Sequence, residues 1–250
     1  VDTSNDARSS PYLHMPEALP FEKLDAIIVT HAHLDHSGLV PMLFRYGYEG
    51  PVYCTPPTRD MMTLLQMDYL KVAAADAKKI PYSSEDVRNV ITHCITLPYG
   101  ETTDITPDIR LTLHNAGHIL GSSMIKLKVK DGDENRSLLF SGDIGRPDKV
   151  ILRDPTLFDE ADYVIMESTY GNRYHQDIRD IDDNLEEVVN ETHRAGGNVV
   201  IPSFAIERAQ ELLYELNSLF IERRIPPLLV FVDSPMANKV TKVFQEHPEL

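Results

Sequence analysis

The sequence predicts an α/β protein in two parts, a mixed α/β domain over residues 1–172 and part of a parallel α/β unit over 173–250. Three observations predict it. Short apolar runs such as Ala26-Ile27-Ile28-Val29 and Ala161 to Met166 end at polar loops, as strands buried on both faces do. The stretch from Ile95 to Phe140 turns to strand patterns, with strict alternation at Ile109 to His114 and Met124 to Lys130. After Gly171 the chain alternates helix and strand, the mark of a parallel sheet with crossover helices.

Each element follows from local chemistry. Phe21 to Thr30 closes in the first buried strand, and Ser37-Gly38 opens a short helix through Leu43-Phe44. Thr58 to Lys79 is a long helix, preceded by Pro56-Pro57 and stopped by Ile80-Pro81. Ser83-Ser84-Glu85-Asp86 starts another, with a hydroxyl cap and acids in the first turn. The polar turn Asp131 to Asn135 joins Met124–Lys130 to Ser137–Phe140 as a hairpin. Beyond residue 172 the order is a helix (Ile178 to Arg194), a strand (Asn198 to Ile201), a helix (Ala205 to Arg224), a strand (Leu228 to Val232) and a helix (Pro235 to Glu246).

Composition sets outer limits. With 42% hydrophobic and 25% charged residues, the chain has the balance of a globular protein. No apolar run nears the ~20 residues that cross a bilayer, and the first residues lack a signal-peptide pattern, so a cytoplasmic protein with no membrane partner is expected. Cys54 and Cys94 show no CxxC spacing and read as two unpaired thiols. The net charge of −15 weighs against nucleic acid as a partner, though bound divalent cations would reverse the sign locally.

Chemistry concentrates in Thr30-His31-Ala32-His33-Leu34-Asp35-His36-Ser37-Gly38. Three imidazoles and a carboxylate follow directly on a buried strand, a rigid mount from which one turn can aim several side chains into a small volume. Neutral imidazole suits zinc, and a carboxylate offsets cationic charge. His118, in Asn115-Ala116-Gly117-His118-Ile119-Leu120-Gly121-Ser122, and Asp143, in Ser141-Gly142-Asp143-Ile144-Gly145, occupy the same kind of strand-end loop. His114 stands four residues before His118, but on a strand that spacing does not bring both to one point. His14 and His93 read as ordinary surface or core residues.

The histidine cluster, Gly-His-Ile-Leu-Gly-Ser and Ser-Gly-Asp, in this order, resemble the second, third and fourth motifs of metallo-β-lactamase-fold hydrolases. The resemblance implies an αββα sandwich carrying two zinc ions. His31, His33 and His118 would hold one, Asp35 and His36 the other, and Asp143 would bridge both. Met166-Glu167-Ser168-Thr169-Tyr170-Gly171-Asn172 further resembles the acidic motif with which the β-CASP branch of nucleic-acid-processing enzymes opens its inserted domain. Pro202-Ser203-Phe204-Ala205, Arg208 to Leu213 and Asp233-Ser234-Pro235-Met236-Ala237 are similar to the early part of that domain. The match is nearest to archaeal cleavage and polyadenylation specificity factor homologues and their bacterial ribonuclease relatives.

What this implies is a zinc-dependent ribonuclease of RNA processing or decay, with single-stranded RNA as substrate and a homodimer or an RNA-processing complex as its assembly. Hydroxide generated between two metals would attack the phosphodiester, leaving a 5′-phosphate and a 3′-hydroxyl. Asp35 and Asp143 would fix that hydroxide, and Glu167 would orient a general-acid histidine. The family's opening strands and two later histidine motifs have no counterpart here. His175, His193 and His247 follow Asp143, and none matches those motifs. The chain therefore reads as an internal piece of a longer enzyme, expected alone to hold one zinc tightly and a second weakly and to be nearly inactive. The competing readings are a small-molecule metallohydrolase of thioesterase or lactonase type, a non-catalytic RNA-processing scaffold subunit, and a DNA-directed nuclease.

Overall fold

The computed structural model describes residues 21–78, 80–173 and 181–248. The chain divides into two compact units, one running to Glu167 and taking in the residues from Val243 onward, the other Ser168–Lys242.

The first unit holds two sheets. Parallel strands β1 (Ile27–Ile28), β2 (Val52–Cys54) and β3 (Cys94–Thr96) form one, in that order. The other, in sequence order, contains β4 (Thr102–Thr106), β5 (Ile109–Asn115), β6 (Ser123–Asp131), β7 (Glu134–Phe140) and β8 (Tyr163–Ile165). It is antiparallel up to β7 and parallel between β7 and β8, with Phe140 opposite Ile165. The β6–β7 hairpin lies where the alternation put it. Inward side chains of both sheets share one core: Tyr53 and Leu97 meet Leu111, Leu113 and Ile125, with Ile28 and Phe140 packed at its edge. That face-to-face burial holds the sandwich together.

Helices α1 (Leu34–Ser37), α2 (Val40–Arg45), α3 (Pro56–Ala75) and α4 (Ser84–His93) belong to this unit. Thr55 caps α3 and Pro56 sits in its first turn, where a missing N–H costs nothing. Met61, Met62 and Gln66 form its buried face. At α4, Ser83 and Asp86 exchange the two bonds of a capping box. Cys54 is buried, Cys94 half-buried, and both are free thiols.

Four strand expectations are corrected. The run Phe21 to Thr30 contributes only Ile27–Ile28 to a ladder, although Val29 N–H still reaches Tyr53 O. Ala161–Met166 contributes β8, but Tyr163, Val164 and Ile165 are exposed rather than buried on both faces. In the second unit Asn198–Ile201 and Leu228–Val232 form no strand among the described residues. Periodicity reports which side chains seek burial, whereas a strand also needs a neighbour for its N–H and C=O groups. Val200, Leu229 and Phe231 are all more than four-fifths exposed, so among the described residues no layer covers that face of these runs.

The helices of the second unit do form. They are α5 (Ile181–Arg194), α6 (Arg208–Ile221) and α7 (Pro235–Glu246), the last reaching past Lys242. Leu219 and Val189 pack α6 against α5, with Ile225 beside them. Gln210 binds Ala237 O and Thr241 Oγ1, fixing the start of α7 on α6.

Candidate metal centre

The centre is built at one end of the sandwich, from loops that leave β1, β5 and β7. Past β1, Thr30 O accepts both the N–H and the hydroxyl of Ser123, at 2.7 and 3.0 Å. These bonds tie the histidine turn of one sheet to β6 of the other. Thr30 Oγ1 lies 3.1 Å from His31 Nδ1 and fixes that ring, leaving Nε2 facing inward. His33 begins α1, whose last residue, Ser37, donates to Ala32 O and accepts from Gln66 Nε2.

The His118 loop is held from within and without. Ser122 Oγ accepts from the N–H groups of His118 and Ile119, and the hydroxyls of Thr55 and Thr58 both donate to Gly121 O. Lys149 Nζ donates to His118 O at 2.6 Å. The Asp143 loop presses on it from the other side. Gly145 N–H donates to Ala116 O, and a Cβ on Gly145 would stand 1.7 Å from Gly117 O. Only glycine permits that approach.

Together the loops bring one nitrogen each from His31, His33 and His118, and one oxygen from Asp143, within 4.8 Å of one another. His118 Nε2 lies 3.2 Å from His33 Nδ1, and Asp143 Oδ2 lies 3.6 Å from His31 Nε2 and 3.5 Å from His118 Nε2. The other carboxylate oxygen, Oδ1, turns to His36 Nε2 at 3.3 Å, and that nitrogen also stands 3.5 Å from Asp35 Oδ2. Asp143 thus divides its two oxygens between two groups of side chains. All six expected ligands lie at one end of the unit; four form the tight cluster, with His36 and half-exposed Asp35 at its edge.

Electrostatics suit a cation. Burial, then repulsion from the other imidazoles, drives the His31 pKa down to about 2. Burial and the charge of His33 bring His118 to about 4, and burial lowers His33 as well. These rings are therefore neutral at pH 7, the form with a lone pair to give. Burial would lower His36 too, but its hydrogen bond to Asp143 and the charges of Asp143 and Asp35 outweigh burial and raise it. The His36 bond holds Asp143 down at about 2, so this carboxyl stays ionised. His31 Nε2 is fully buried and has no hydrogen-bond partner among the described residues. A buried nitrogen left so costs about 1–3 kcal/mol, and a cation at the cluster would satisfy it. The donor set of imidazole and carboxylate fits zinc.

Glu167 lies two residues beyond β8. Its Oε1 accepts from Ile144 N–H at 2.7 Å, and its own N–H donates to Ser141 Oγ at 3.1 Å. No histidine meets its carboxylate among the described residues. His114 packs edge-to-face against Phe158, His93 binds Asn89 O, and His247 pairs with Asp60 at 3.0 Å, all apart from the cluster. His193 falls in the last turn of α5. His14 and His175 lie outside the described residues. Sequence reasoning missed Lys149 and the supporting hydroxyls of Thr30 and Ser122, since lone polar residues carry no spacing signal.

Comparison with known proteins agrees with this geometry. A metallo-beta-lactamase superfamily domain matches residues 1–161, and a Beta-Casp domain matches 209–250. Transcription termination factor FttA of Methanosarcina mazei is 48% identical over all of this chain, and that of Methanothermobacter thermautotrophicus 45%. The protein of the same name from Lokiarchaeum sp. is 39% identical. The chain spans 39% of the length of each of these relatives. A looser likeness is to Rm3 metallo-beta-lactamase, at TM-score 0.32 and 20% identity over 48% of this chain and 41% of that one; at that score it adds nothing to the family match.

Proposed function

The chain belongs to the metallo-β-lactamase superfamily and carries a Beta-Casp domain, and from that premise we propose that it is a zinc-dependent ribonuclease. The observation that carries the reading is the cluster itself: four donors within 4.8 Å, one of them a buried imidazole nitrogen with no hydrogen-bond partner among the described residues. His31, His33 and His118 would hold one zinc, and His36 with Asp35 a second. The division of Asp143 between His31 and His118 on one oxygen and His36 on the other supports a bridging place for it. Bound there, the ions would acidify water and neutralise charge gathering on phosphate oxygens.

The protein's own part is to prepare the site. Burial keeps three imidazoles neutral, and the His36 bond keeps Asp143 ionised. Thr30 and Ser122 fix the two loops so that little reorganisation is left for the reaction. Asp35, half-exposed at the edge beside His36, would with Asp143 orient the attacking water. RNA as substrate is supported by the Beta-Casp match, which small-molecule hydrolases of the fold do not need, and by relatives named as transcription termination factors. No helix among the described residues is long and apolar enough to cross a membrane.

The test is a labelled single-stranded RNA incubated with the full-length protein before and after removal of metal by a chelator. Cleavage should vanish on chelation and return with zinc, giving 5′-phosphate and 3′-hydroxyl ends. Cleavage that persists in the metal-free protein, or zinc-loaded protein that leaves RNA intact, would contradict the proposal.

A further inference from the structure

The loop that carries Asp143 is fixed by backbone bonds at its two ends. Ser141 N–H donates to Ile165 O at 2.9 Å, continuing the β7–β8 pairing, and Gly145 N–H donates to Ala116 O at 2.8 Å. Between them Gly142 has φ +54°, and a Cβ there would stand 2.9 Å from Thr30 Cβ, so the loop leans on the residue that orients His31. The Asp143–Ile144 peptide lies in the middle of this span. Its N–H donates to the carboxylate of Glu167 at 2.7 Å. Glu167 also grips the loop through its backbone: its N–H donates to Ser141 Oγ, which in turn donates to Gly142 O at 2.6 Å.

We infer that Glu167 is a positioning residue, whose side chain clamps the Ile144 amide and so sets the direction of the Asp143 carboxylate. This rests on the reading of the cluster as a metal site. Asp143 meets three imidazoles at 3.3–3.6 Å, and the peptide clamped by Glu167 is its own. Rotation of that peptide swings the Asp143 side chain away from all three at once. The hydrogen bond from the Ile144 N–H to Glu167 resists such rotation. The role differs from that of a carboxylate orienting a histidine acid. A histidine partner needs the negative charge, whereas the Ile144 N–H needs only an acceptor, which a Gln carbonyl also offers.

The experiment compares full-length wild type with Glu167→Ala and Glu167→Gln, titrating zinc against a chelating dye. Glu167→Ala should weaken zinc binding by roughly 10–100-fold, the range for losing a group that supports a ligand, while Glu167→Gln stays within about threefold of wild type. Hydrogen exchange at the Ile144 amide in the metal-free proteins supplies a readout independent of zinc. It should be slow in wild type and in Glu167→Gln, and fast in Glu167→Ala. Should the Ala variant not fold, the Gln variant decides the matter through the same two measurements. Wild-type affinity in Glu167→Ala, or equal losses in both variants, would overturn the clamp. A wild type that takes up no zinc at all would overturn the metal reading, and the clamp with it.

Discussion

At the scale of single residues, the centre is a set of ionisation states imposed by burial. His31, His33 and His118 are neutral because a charged ring would be stranded without water, and His31 feels this most. Linkage turns that into a pH dependence for the metal-free protein. The unfolded chain protonates these rings near pH 6.5, so below that pH it binds more protons than the folded chain, and stability falls as pH falls. His36, whose pKa is raised, works in the opposite sense: its contribution is full below 6.5 and is lost as pH rises through its folded value. Asp143, held at about 2, adds a further loss only below its ordinary value of 3.8. Three rings outweigh one. The melting temperature of chelator-treated protein is therefore expected to fall between pH 6.5 and pH 4, and a level profile across that range would refute the burial account. The four residues of the cluster were legible as candidates in the sequence because ligand types cluster at strand ends. The contact of Glu167 with Ile144 was not, because 23 residues separate the partners and no spacing rule links them.

At the scale of elements, the loops matter more than the strands that bear them. The Asp143 loop and the His118 loop touch through Gly145, where any side chain would meet the Gly117 carbonyl. Replacing Gly145 with Ala forces two backbones apart, an overpacking cost of about 1–3 kcal/mol or more. Gly145→Ala should lower the melting temperature and reduce zinc content together, since the displaced loops carry His118 and Asp143. Unchanged zinc content with lowered stability would show that the loops move independently. Helices were read well, within a few residues for α3 and α4, because caps and prolines act locally. Strands were read less well. Asn198–Ile201 and Leu228–Val232 have strand composition, yet pairing depends on neighbours that a local pattern does not name.

At the scale of the whole molecule, the chain is acidic, with a net charge of −15, while its proposed substrate is a polyanion. Divalent cations at the cluster would reverse the sign of the field locally, where the phosphate would approach. Metal that binds the folded state alone also stabilises it by mass action. Melting temperature should accordingly rise with zinc concentration in wild type and rise clearly less in His118→Ala. The measurement that tests the central claim most directly is elemental analysis of the purified full-length protein beside His118→Ala. The account predicts about two zinc ions per chain in wild type, in keeping with a two-metal hydrolase, and a clear loss in the variant. A wild type free of transition metal, or a variant that retains the full complement, would contradict it.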